Sequence, residues 1–195
     1  MPPKPTSRRD LQARARKIRL LLMDVDGVLT DGRIYYVPAS TGEAAAGDLK
    51  LVETKTFHSR DGFGIGMWHR AGFQSGLISG RDSPIVAYRA RELGIQYVRQ
   101  GAGREKLGPY REVLAEAGVP DHQVCYVGDD LVDLPLLTRA GLGVAVADSH
   151  PLLARHVHYV TRARGGLGAV REVVELILAA QGKFRPVLDG YLSGD

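Results

Sequence analysis

Apolar positions along this chain fall into two periods, and the changes from one to the other mark its elements. Residues 18–23 are apolar at every position except Arg19, without alternation, the pattern of a central parallel strand covered on both faces. Two β-rich, partly alternating stretches follow, RIYYV at 33–37 and LVETKTFHS at 51–59, and the segment 38–48 between them is turn-forming and low in hydrophobicity. They read as a β-hairpin with a long, mobile tip. From Asp61 onward helix and strand periods take turns: a helix over 61–71, a strand at 73–79, a helix from Pro84 to Leu93, a strand at 95–98, a helix at 105–117 and a strand at 123–129. A helix at 131–139, a strand at 142–146, a short helix within 149–156 and a strand at 157–161 come next. The last element, 168–182, is strongly helical in period, with Val170, Val173, Val174 and Ile177 on one face. Such alternation predicts an α/β fold, a doubly wound, Rossmann-like parallel sheet with helices on both faces and the hairpin inserted after the first strand.

Composition changes this picture little. The chain has 195 residues, enough for one domain with a full core, and its single cysteine, Cys125, excludes an internal disulfide framework and fits a reducing cytoplasm. No apolar run approaches the roughly 20 residues needed to cross a bilayer, and no apolar h-region follows the N-terminus. Neither a membrane nor a signal peptide is expected. The sequence pI of 9.3 has a local origin. Lys4, Arg8, Arg9, Arg14, Arg16 and Lys17 face Asp10 alone in residues 1–17, a charge of +5, while the whole chain carries +4. The remainder is therefore near −1, and nucleic acid is not an expected partner. The organisation expected is a basic, flexible leader at 1–17, one domain at 18–183 and a C-terminal tail at 184–195.

Candidate chemistry gathers at the carboxyl ends of the predicted strands, where ligands of this architecture bind. The first strand runs straight into DVDGVLTDG, and residues i and i+2 of an extended segment project to the same side. Asp24 and Asp26 thus converge, and Asp129 joins them from another strand end. Clustered carboxylates resist burial unless something neutralises them, and an oxygen-rich set of this kind suits Mg²⁺. Ser79 offers a hydroxyl, Gly80 an open amide, and Lys106, at a helix start, a positive charge. Together these describe a phosphoryl-transfer centre.

DVDGVLTDG, ISGR, Lys106 and GDDLVDLP, in that order, resemble the four motifs of the haloacid dehalogenase superfamily of phosphohydrolases. The resemblance implies Asp24 as the nucleophile that takes the phosphoryl group and Asp26 as the general acid and base. It also implies Asp24, the Asp26 backbone carbonyl and Asp129 as Mg²⁺ ligands, Ser79 and Lys106 as phosphoryl binders, and Asp130 and Asp133 as orienting groups behind them. A narrower likeness covers nearly all of 18–183: the hairpin, HSRDGFGI, YVGDDLVDLP, GVAVADSHP and GGLGAVREVVELIL are similar to the capless 3-deoxy-manno-octulosonate (KDO) 8-phosphate phosphatases of lipopolysaccharide synthesis. That family implies a homotetramer with no cap domain and with the hairpins at its centre. It also implies a sugar acid phosphate substrate contacted by Arg60, Asp61 and Gly62, with His58 and Ser59 as further candidates and Asp26 and Gly80 beside them. Arg81 and Arg89 would add positive charge toward its carboxylate or phosphate, Arg89 alternatively being a solvent-facing helix residue. Two departures stand out: Ser79 where threonine is usual, and Gly66 where relatives carry an arginine. Two other readings stay open, a phosphatase of sialic-type nonulosonic acid 9-phosphates and a non-catalytic assembly module of the same fold.

Overall fold

The computed structural model describes residues 7–38 and 51–193, so most of the hairpin tip expected at 38–48 and the first residues of the leader lie outside the described residues. Six parallel strands form the main sheet: β1 (Leu20–Met23), β4 (Gln74–Ile78), β5 (Tyr97–Arg99), β6 (Val124–Gly128), β7 (Leu142–Ala145) and β8 (Tyr159–Val160). Their spatial order is β5-β4-β1-β6-β7-β8, so the chain winds outward from β1 in both directions. The hairpin is a separate antiparallel pair, β2 (Tyr35–Pro38) and β3 (Leu51–Thr54), with Tyr35 opposite Thr54.

The unbroken apolar run of β1 is explained by the two cores it serves. Leu21 and Met23 enter one core with α2 (Ser59–Arg70), α3 (Pro84–Glu92) and α6 (Ala169–Ala180). Leu20 and Leu22 enter the other with α4 (Leu107–Ala117) and α5 (Leu134–Leu137). Both strand faces are dry, so alternation has nothing to respond to. Register then fixes the site. Met23 lies opposite Leu77 on one side and Val127 on the other, which brings the ends of β1, β4 and β6 level.

Three expectations change. Arg8–Ala15 form a helix, α1, where a flexible leader was expected. Ser7 caps it by accepting from Asp10 N–H, Ala15 is buried, Leu11 packs on the core, and Arg14 donates to the Gly141 carbonyl at 3.0 Å. Arg16 of the same basic run donates to the Ala180 carbonyl at 3.2 Å, so these two arginines tie the segment to the domain. Phe184–Ser193 likewise form α7, with Val187 buried and Phe184 packed against the core, where a tail was expected. The helix expected over 131–139 begins as a 3-10 turn, Leu131–Asp133, because Asp130 and Asp133 cap one another's backbone across it, and only Leu134–Leu137 are α-helical.

Candidate active site

Asp24 sits one residue beyond β1 and is held there by its backbone, whose N–H donates to the Val127 carbonyl at 3.0 Å. Its Oδ1 accepts from Val25 N–H at 2.7 Å, and its Oδ2 lies 2.7 Å from Lys106 Nζ. Lys106 immediately precedes α4 and is buried between two carboxylates, with Asp133 Oδ1 at 2.8 Å on its other side. Burial alone would lower the lysine, but the charges and hydrogen bonds of Asp24 and Asp133 outweigh it and hold its pKa above the ordinary value. The ammonium is therefore a permanent positive charge in this site.

Asp24, Asp129 and Asp133 each present an oxygen, all within 4.8 Å of one another, which is the spacing of a site for a hard cation. The three are not equivalent. Asp133 Oδ1 accepts from Lys106 and from the Tyr126 hydroxyl at 2.8 Å, and its Oδ2 accepts from the N–H groups of Asp129 and Asp130. Four donors saturate it. Asp129 accepts no hydrogen bond among the described residues, so its carboxylate and that of Asp24 are the ones open to an ion. Burial, then the charges of Asp24 and Asp133, push the Asp129 carboxyl up to about 8. Burial, then Asp133, push Asp24 up to about 6 against the pull of Lys106. Asp24, Asp129 and Asp133 gather around one ammonium, that of Lys106, so carboxylate oxygens outnumber the cation in this cluster, and the donor set fits a hard divalent ion such as Mg²⁺.

Backbone shape makes room for this set. Gly27 turns the chain at φ +84°, and a Cβ there would stand 2.1 Å from Asp129 Oδ2. At the end of β4, Ser79 is buried and its Oγ accepts from Arg81 N–H at 3.2 Å. A Cβ on Gly80 would meet the Gly103 carbonyl at 2.6 Å, so glycine lets the loop before Lys106 close on this strand end.

The chain's residues 102–172 match the haloacid dehalogenase-like hydrolase family. It is 47% identical over 174 residues to the 3-deoxy-D-manno-octulosonate 8-phosphate phosphatase KdsC of Yersinia pestis, covering 89% of this chain and 87% of that one. Identity to the enzyme of that name from Escherichia coli K12 is 45%, with 89% and 86% covered. The crystal structure of the Moraxella catarrhalis 3-deoxy-D-manno-octulosonate 8-phosphate phosphatase, in complex with magnesium ion, phosphate ion and KDO, superposes with a TM-score of 0.85 at 36% identity, over 95% of this chain and 99% of that one. The chain belongs to the KDO 8-phosphate phosphatase family.

It is thus a phosphomonoester hydrolase of the haloacid dehalogenase-like type, as its motifs implied, and its parallel sheet is the fold they implied. The structure brings Asp24, Lys106, Asp129 and Asp133 into one strand-end cluster, places Ser79 and Gly80 at the neighbouring end of β4, and leaves Asp130 exposed as the cap of the 3-10 turn. Asp26 belongs to a second group: its side chain turns to Lys55, with which it pairs closely, and its Oδ2 is 3.8 Å from Arg81 Nε. Arg81 also donates to Glu53 Oε1 at 2.6 Å, so the hairpin reaches the site through these charges.

The RDG stretch does not form one ligand surface. Asp61 is buried, and its two oxygens accept from Gly168 N–H and Arg171 N–H at 3.0 Å, which places it on the amino end of α6 rather than in a sugar pocket. His58 caps α2 by accepting from Arg60 N–H. Arg60 and Ser59 are exposed on the first turn of α2, while Gly62 is buried and lies against the guanidinium of Arg89, itself paired with Glu92 at 2.7 Å. Two site residues escaped the sequence, Lys55 and Tyr126. Lys55 sits in an unremarkable hairpin, and Tyr126 is one aromatic in an apolar strand; only their buried hydrogen bonds to Asp26 and Asp133 reveal them.

Proposed function

We propose that this phosphatase hydrolyses KDO 8-phosphate to KDO and phosphate in the cytoplasm through an aspartyl-phosphate intermediate. The observation that carries this reading is Asp24 between Lys106 and the open carboxylate of Asp129, in a chain 47% identical over 89% of its length to a 3-deoxy-D-manno-octulosonate 8-phosphate phosphatase. Asp24 attacks phosphorus, the ester P–O bond breaks, and the leaving sugar oxygen takes a proton from Asp26. Asp26 then takes a proton from water as that water attacks the acyl phosphate and frees Asp24. Lys106 and Ser79 hold the phosphoryl oxygens, and the Gly80 amide faces the same group. Asp24, the Asp26 carbonyl and Asp129 would hold Mg²⁺, whose charge offsets that of the transferring group. Asp133 and Asp130 orient Lys106 and Asp129. Arg81 and Arg60, with His58, Ser59 and Arg89 near the same helix start, supply the positive and polar surface for the sugar acid; Asp61 has its role in the fold instead.

A homotetramer completes this reading. Ile34, Tyr36, Val37, Leu51 and Val52 of the hairpin are all exposed, and an isolated two-stranded ribbon with apolar residues outside is a poor end state in water. Packing the hairpins at the centre of a closed assembly covers them. Light scattering should give about four times 21.2 kDa. For the activity, phosphate release with Mg²⁺ should be fastest from KDO 8-phosphate in a panel including nonulosonic acid 9-phosphates, and should vanish in Asp24→Asn. Preference for a nine-carbon substrate would replace the sugar assignment, and turnover by pure Asp24→Asn would refute the covalent route.

A further inference from the structure

The hairpin buries the wrong residue. Leu51 and Val52 of β3 are exposed, yet Lys55, just past the end of that strand, keeps only 1% of its side-chain surface. Burying an ammonium is costly unless it is closely paired. Its partners give the reason. Lys55 Nζ pairs closely with Asp26 Oδ1 and lies 3.4 Å from Glu53 Oε1, and Glu53 is in turn bonded to Arg81, whose hydroxyl neighbour is Tyr36 on β2. The Asp26 carboxylate is thereby turned away from the Asp24, Asp129 and Asp133 cluster and toward the hairpin.

That direction matters for in-line displacement, in which the leaving oxygen departs on the side of phosphorus opposite the attacking oxygen. Asp24 attacks from the strand end, so the group that protonates the leaving oxygen has to face outward, to where the hairpin stands. We propose that Lys55 is the positioning residue of Asp26, a hairpin lysine that holds the acid–base carboxylate facing the leaving group and keeps it from joining the cation cluster. The inference rests on the acid–base role of Asp26 given above. It makes the hairpin part of the catalytic apparatus, linking assembly through its outer face to chemistry through its inner one.

The test compares two leaving groups in the full-length, Mg²⁺-loaded protein. The alkoxide of KDO 8-phosphate needs a proton as it departs; the phenolate of 4-nitrophenyl phosphate does not. Values of kcat/KM report the steps up to departure, so loss of a correctly placed acid should show in the first substrate and barely in the second. Lys55→Met and Lys55→Ala should lower kcat/KM for KDO 8-phosphate about 10- to 100-fold, part of the span of general acid catalysis, and that for 4-nitrophenyl phosphate less than about threefold. Lys55→Arg should recover much of the loss. Equal losses for both substrates, or none for either, would overturn the inference. Asp26→Asn serves as the reference: if it shows the leaving-group dependence and the Lys55 variants do not, only the role of Lys55 fails. If Asp26→Asn lacks that dependence, or the wild type hydrolyses only the aryl ester, the functional reading fails and this inference with it.

Discussion

Lys106 Nζ lies 2.7 Å from Asp24 Oδ2, and both side chains are almost wholly buried. A buried pair of this kind is weak evidence for stability, because desolvation offsets much of the attraction, yet breaking it exposes an uncompensated charge. Lys106 also faces Asp133, so its loss leaves two carboxylates without their cation. Lys106→Ala should therefore lower kcat by roughly 10²–10³, as removal of one oxyanion donor does, and destabilise the metal-free protein by about 3–5 kcal/mol. Steady-state kinetics and denaturant melts check the two halves; wild-type rates would reduce Lys106 to a helix-start residue.

Cation binding should depend on pH with a definite sign. A carboxyl whose folded pKa lies above its ordinary value of 3.8 supports the fold at low pH and withdraws that support as the pH rises through the folded value. With Asp24 at about 6 and Asp129 at about 8, the metal-free protein should lose stability between about pH 4 and pH 8. Mg²⁺ competes with those protons, so the Tm gained on adding Mg²⁺ should grow over the same range, and binding below about pH 8 should release protons, measurable by calorimetry in buffers of different ionisation heat. A pH-independent gain would mean that the ion sits elsewhere.

Gly27 should tolerate no side chain. Its φ of +84° disfavours any other residue, and a Cβ would lie 2.1 Å from Asp129 Oδ2. Gly27→Ala should weaken Mg²⁺ binding by displacing that carboxylate while leaving the far-UV CD spectrum unchanged. A variant that binds Mg²⁺ like wild type would show that Asp129 is not the open ligand.

Asp61 should prove structural. Its carboxylate closes the amino end of α6, whose own cap position is Gly168 and offers no side chain. Asp61→Ala should cost about 1–3 kcal/mol in unfolding free energy, and the surviving folded enzyme should keep its KM. A raised KM with unchanged stability would return Asp61 to the substrate pocket.

Much of this was legible along the chain because it is written in local patterns. An unbroken apolar run means a strand dry on both sides, strand–helix alternation means a doubly wound sheet, and polar residues at strand ends mark a candidate site; Asp24, Ser79 and Asp129 stand out that way, and Lys106 as a charge at a helix start. Nothing local distinguishes Asp129, left open, from Asp133, saturated by Lys106 and Tyr126, or separates Asp26, drawn to Lys55, from Asp24. Asp61 reaches its helix end across 107 positions of sequence, and α1 is a helix because Ala15, Leu11 and Arg14 find partners elsewhere on the domain. Periodicity records which side of an element is dry. Which carboxylate meets which cation depends on contacts between segments far apart in the chain, and the charge state of each group follows from those contacts and from burial, quantities that exist only once the segments have packed.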